Sequence, residues 1–102
     1  MTDKEQIVLK MQSKVEAYFA KKNTYWDDER KLDALRQAIW LVVQKEYSIA
    51  GASKVMGRKF RVQPRTLTNI LVNNVFPADM RAFIKKRNQV KDFNRILGRR
   101  RN

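Results

Sequence analysis

From residue 3 to residue 21 the apolar side chains return every three or four positions: Ile7, Met11, Val15 and Tyr18, with Val8 and Phe19 beside them. That spacing lays one stripe along a helix of 3.6 residues per turn and predicts a helix over 3–21. Lys21-Lys22-Asn23-Thr24 breaks the pattern, and a second helix is expected to start between Thr24 and Asp28. Thr24 or Asp27 can cap its free N–H groups, while Asp27, Asp28 and Glu29 suit the positive end of its dipole. Leu32, Leu35, Ile39, Val42 and Val43 form the stripe of this helix, Leu41 lies on its flank, and Trp40 and Tyr47 sit on a second side. Apolar surface that wide predicts the central, most buried helix, with Trp40 in the core.

Ser48 is a good N-cap for a third helix starting at Ile49. Pro64, preceded by Gln63, suits the first position of a fourth, where a missing N–H costs nothing. That helix, Pro64 to about Asn74, carries Leu67, Ile70, Leu71 and Val75 inward, and Pro77 ends it or opens the next. A last helix over roughly 78–97 presents Met80, Phe83, Ile84, Val90, Phe93 and Leu97, with Gly98 as its C-terminal cap. The expected fold is all-α: one helical domain of about five helices over residues 1–97, then a basic tail over 98–102.

Charge changes the picture. Residues 1–57 hold 10 Lys and Arg against 8 Asp and Glu, whereas residues 58–102 hold 13 against 2. The chain carries a formal +13 over 102 residues, so its partners should be anionic. It contains neither cysteine nor histidine. Disulfides, thiolate metal sites and Ser-His-Asp or Cys-His catalysis are therefore excluded, and no metal, cofactor or enzymatic activity is expected. The longest apolar run, Ala38 to Val43, is too short to span a bilayer. The polar start MTDKEQ is unlike a secretory signal, which leads to a cytoplasmic, nucleoid-associated location as the expectation.

The most informative segment lies between Met56 and Ile70. A helix-turn-helix needs two short helices packed through a tight apolar contact, with the second placed to enter a DNA groove. Met56, Phe60, Val62, Leu67 and Ile70 fall on the required series of apolar positions, and Gly57 supplies the small residue where the helices approach. In this register Arg61 occupies the turn position where glycine is usual. A second register makes Ser48 to Gly57 the complete first helix, with Arg58 to Gln63 as a longer basic turn. Both give the same recognition helix from Pro64. Its outward residues are Arg65, Thr66, Thr68, Asn69, Val72 and Asn73. Arginine can read guanine and asparagine adenine, each bidentately, so Arg65 and Asn69 are the foremost base-contact candidates, with Gln63, Thr68 and Asn73 behind them. Arg58, Lys59, Arg61 and Thr66 are placed for phosphates, which fix register without reading sequence. The plainer alternative is an ordinary helical hairpin whose outer face is polar because it is wet.

At SIAGASKVMGRKFRVQPRTLTNIL the chain resembles the helix-turn-helix of small bacterial, plasmid or phage regulators. Over residues 32–75 its plan is similar to that of plasmid TrfB/KorA-type repressors and PapB-type fimbrial regulators, in which a helical scaffold precedes the motif. The resemblance implies a dimeric, operator-binding transcriptional regulator on double-stranded DNA.

Beyond the motif, Arg81, Lys85, Lys86, Arg87, Lys91 and Arg95 flank the last apolar stripe, and Lys85 and Lys86 are further phosphate candidates. Arg99, Arg100 and Arg101 can enter a minor groove as a flexible arm, or form a basic tail with no partner. Asp27, Asp28, Glu29 and Asp33 are best explained as acids at a helix start rather than as a Mg²⁺ site. Tyr25 and Trp26 offer rings for base stacking. Two rival functions stand beside the regulator. One is an RNA-binding or non-specific nucleic-acid protein, with steep salt dependence and little sequence preference. The other is a phage or plasmid interaction module for an acidic protein. A membrane-surface role for the basic helix is a minor option.

Overall fold

The structure, a computed structural model, describes residues 2–22 and 28–100, without the side chains of residues 22, 28 and 92–100. Its helices are α1 (Asp3–Lys22), α2 (Asp28–Gln44), α3 (Ile49–Phe60), α4 (Pro64–Ile70, prolonged by a π-helical turn over Leu71–Val75) and α5 (Ala78–Arg100). The chain is all-α and forms one domain, with no strand among the described residues. Thr24, Tyr25, Trp26, Asp27 and Arg101 lie outside those residues.

The core forms where the stripes of the first four helices meet. Val8, Met11 and Val15 of α1 face Ala34, Leu35, Ala38, Ile39 and Val42 of α2, all buried. α2 is the central element, packed against α1, α3 and α4. Full burial of an aliphatic side chain contributes about 1.5–3 kcal/mol, so residues such as Leu35, Ile39, Leu67 and Leu71, each 0% exposed, supply much of the stability. Arg36 ties the outer edge of the α1–α2 pair to Glu16 and Asp33.

Trp40 is not part of this core. It is 43% exposed, and the Lys45 ammonium lies 5.3 Å from its ring centre. The buried stripe runs through residues 35, 38, 39 and 42, and a residue two positions from both Ala38 and Val42 points to the far side of the helix.

Two more expectations need correction. α4 does not stay regular to Asn74: Phe76 N–H reaches five residues back to the Leu71 carbonyl at 2.8 Å. Pro77 drives the preceding residue toward extended backbone, and Phe76 has φ −89 and ψ 117. The widened turn lets Leu71, Val75 and Phe76 all reach the core, and Lys14 Nζ caps the Val75 carbonyl at 3.4 Å. α5 also runs through Gly98 to Arg100, so Gly98 does not end the helix and residues 98–100 are helical.

α5 leaves part of its apolar stripe uncovered. Ile84 is buried and Met80 half-buried, but Phe83 is 65% exposed and Val90 53%. At 1.5 Å per residue the helix is about 34 Å long, and the molecule is correspondingly elongated at 54 × 29 × 24 Å. Its hold on the body includes polar bonds to the α2–α3 link, where Glu46 adopts a left-handed φ of 59. Arg87 Nη2 donates to the Tyr47 carbonyl at 2.9 Å. The Asn88 amide donates to the Glu46 carbonyl at 3.1 Å and accepts from the Ser48 N–H at 3.2 Å.

Candidate nucleic-acid interface

α3 opens as its sequence requires: the Ser48 hydroxyl accepts from the Gly51 N–H at 3.0 Å. It ends at Phe60, three residues beyond Gly57, and only residues 61–63 connect it to α4. The shorter-helix register is thereby corrected. Arg61 takes the left-handed conformation, φ 58 and ψ 46, at the turn position where glycine is usual. The strain is offset by local closure. Val62 N–H bonds to the Gly57 carbonyl at 2.9 Å, and the Val62 side chain is buried.

Gly57 makes the turn possible. A Cβ there would sit 2.6 Å from the Val62 carbonyl oxygen and 3.0 Å from Pro64 Cγ. Met56, Val62, Leu67 and Ile70 are buried and Phe60 is half-buried, so the apolar series that defined the segment is the set that joins α3 to α4 and the core.

The opposite face is polar and cationic. Gln63, Arg65, Asn69 and Asn73 are exposed, while Thr66, Thr68 and Val72 are half-buried. Arg65 and Asn69 stand four residues apart on regular α-helix and therefore share a face. Asn73 lies in the π-helical turn, which rotates it out of that row. Gln63 precedes α4 and makes no side-chain capping bond.

Arg58 and Arg61 are exposed at the turn. Lys59 is exposed too, but its ammonium donates to Gln37 Oε1 at 3.0 Å and lies 5.5 Å from the Phe60 ring centre, so α2 holds it. Lys54, one turn before Arg58, joins the group. With Val55, Arg58, Val62 and Pro64 it lines a shallow groove of about 730 Å³ along α3. Sequence reasoning passed over Lys54, although its four-residue spacing from Arg58 was visible. From Tyr47 to Ala78 the chain contains five Lys and Arg and no Asp or Glu, which leaves the field of this face unopposed from within the segment.

The remaining phosphate candidates are dispersed along α5. Lys85 and Lys86 are exposed. Arg99 and Arg100 belong to α5, but their side chains are outside the described set, as is all of Arg101. Arg87 is turned to structural use: burial lowers its pKa from the ordinary arginine value, against the opposing pull of the Glu46 carboxylate. Among the described residues no helix is long and apolar enough to cross a membrane.

No protein-family model, characterised protein or solved structure matches the chain.

Proposed function

We propose that the chain is a sequence-specific DNA-binding transcriptional regulator, a dimeric repressor that uses α3 and α4 as a helix-turn-helix with α4 in the major groove. The observation that carries this reading is the two-faced character of α4. Leu67, Ile70 and Leu71 anchor one face in the core, and Arg65 and Asn69 stand one turn apart on the exposed face. A rigidly mounted pair of this kind suits bidentate reading of a guanine and an adenine. Gln63, Thr68 and Asn73 supply secondary base contacts. Arg58, Arg61, Thr66 and Lys54 grip phosphates beside the groove and set the register. Lys59 contributes only by releasing Gln37. Repression follows from occupancy, since a protein seated on a promoter excludes polymerase and needs no chemistry.

The test is selection of binding sites from random double-stranded DNA at near-physiological salt. The expected result is a two-fold symmetric motif with half-sites about one helical turn apart. Binding without an enriched motif would sink the reading. It would favour instead the non-specific or RNA-binding function that the exposed Lys85 and Lys86 of α5 also suit.

A further inference from the structure

We propose, on the reading of α4 as the recognition helix, that Val72, with the methyl group of Thr68 beside it, contacts the C5 methyl of a thymine in the DNA site. Of the apolar side chains on α4 and its π-helical turn, Leu67, Ile70, Leu71 and Val75 are buried in the core. Val72 is the exception: it is half-buried, yet it is not among the apolar side chains packed against the core. On any other face a lone half-buried valine would need no explanation. This one stands on the face that carries Arg65, Thr68 and Asn69, at the i, i+3, i+4 and i+7 spacing of a single helix side.

The π-helical turn decides what stands beside Val72. Hydrogen bonds that reach five residues back mean less rotation per residue than in an α-helix, so Val72 swings from the line of Arg65 toward that of Thr68. Two columns result. Arg65 and Asn69 carry hydrogen-bonding groups, and Thr68 and Val72 carry methyl groups. The polar column suits the edges of guanine and adenine. Of the four bases only thymine shows a methyl group in the major groove, and an aliphatic side chain is what contacts it. Valine is well suited to that contact, because its branched Cβ leaves one strongly preferred rotamer on a helix and so presents both methyls without further ordering. It has no donor for a phosphate. Val72 lies seven residues beyond Arg65. That is about 10 Å at 1.5 Å per residue, or about three base-pair steps of 3.4 Å, so the thymine should fall within about three base pairs of the guanine that Arg65 reads.

The test uses the full chain and the site selected from random DNA. Each thymine of a half-site is replaced in turn by uracil, which removes the C5 methyl and leaves every hydrogen-bonding edge intact, and Kd is followed by fluorescence anisotropy. One thymine, within about three base pairs of the guanine whose preference Arg65→Ala abolishes, should bind roughly four-fold more weakly as uracil, the factor that burial of one methyl group supplies. In Val72→Ala that uracil penalty should fall below about two-fold, and in Thr68→Ser, which deletes only a methyl group, it should fall in part. Val72→Ala should leave the unfolding midpoint and the salt slope of binding near wild type, because Val72 is outside the core and neutralises no phosphate. Uracil tolerated at every thymine, or a penalty that persists unchanged in Val72→Ala, overturns the proposal and leaves the regulator standing. If no motif is enriched at all, the regulator itself falls, and the methyl contact with it.

Discussion

Replacing Gly57 by alanine adds one methyl group at the place where α3 and α4 come closest. The new Cβ would lie 2.6 Å from the Val62 carbonyl oxygen, a separation real Cβ atoms essentially never show, and 3.0 and 3.2 Å from Pro64 carbons. Neither neighbour is a flexible chain end, so the turn itself must move. Overpacking of this kind costs about 1–3 kcal/mol. Displacing Val62 also weakens its bond to the Gly57 carbonyl, worth about 1 kcal/mol. Against these stands the better helix propensity of alanine, about 1 kcal/mol. The net expectation is a loss of about 1–3 kcal/mol, or roughly 10 °C in Tm for a domain of this size. Chemical unfolding followed by circular dichroism measures it. Gly51→Ala is the control: its Cβ would meet the Ser48 hydroxyl at 3.0 Å and a Tyr47 ring carbon at 3.9 Å. A hydroxyl can rotate, so the change should stay within about 1 kcal/mol of wild type. If Gly57→Ala were as stable as wild type, the close approach of α3 to α4 would not exist, and the recognition-helix geometry would go with it.

Arg65→Ala or Asn69→Ala should each cost about 1–3 kcal/mol in discrimination between the selected site and random DNA, with non-specific binding less affected, as competition binding assays would show. If discrimination were unchanged, the face assigned to base reading would be wrong. Arg61→Gly should act in opposite directions on two readouts. Relief of the left-handed conformation should add about 0.5–1 kcal/mol to stability, while loss of a phosphate contact should lower the salt slope of DNA binding by about 1. A destabilised variant would contradict the strain argument. Ser53→Ala should be neutral or stabilising by up to about 1 kcal/mol in thermal unfolding, because the buried Ser53 hydroxyl has no hydrogen-bond partner. A loss above about 1 kcal/mol would mean that the hydroxyl has a partner after all.

Much of the fold was legible because it is local. Ser48 as cap, Pro64 as first helical residue and the inward set Leu67, Ile70, Leu71 and Val75 depend on spacing within one or two turns, and all are found as expected. Gly57 was recognisable as the close-approach residue for the same reason, and the charge step at residue 58 is a property of composition alone. The choice between the two registers was not legible. It turned on whether Arg61 would accept a left-handed backbone, which depends on Val62 being buried and on its bond back to Gly57. The exposure of Trp40, the π-helical turn before Pro77 and the exposure of Phe83 and Val90 on α5 were likewise hidden, as was the capture of Lys59 by a glutamine 22 residues earlier. Periodicity says which residues share a face of a helix. Only contacts between residues distant in the chain decide what covers that face, and on α5 the body of a single chain leaves Phe83 and Val90 open to water.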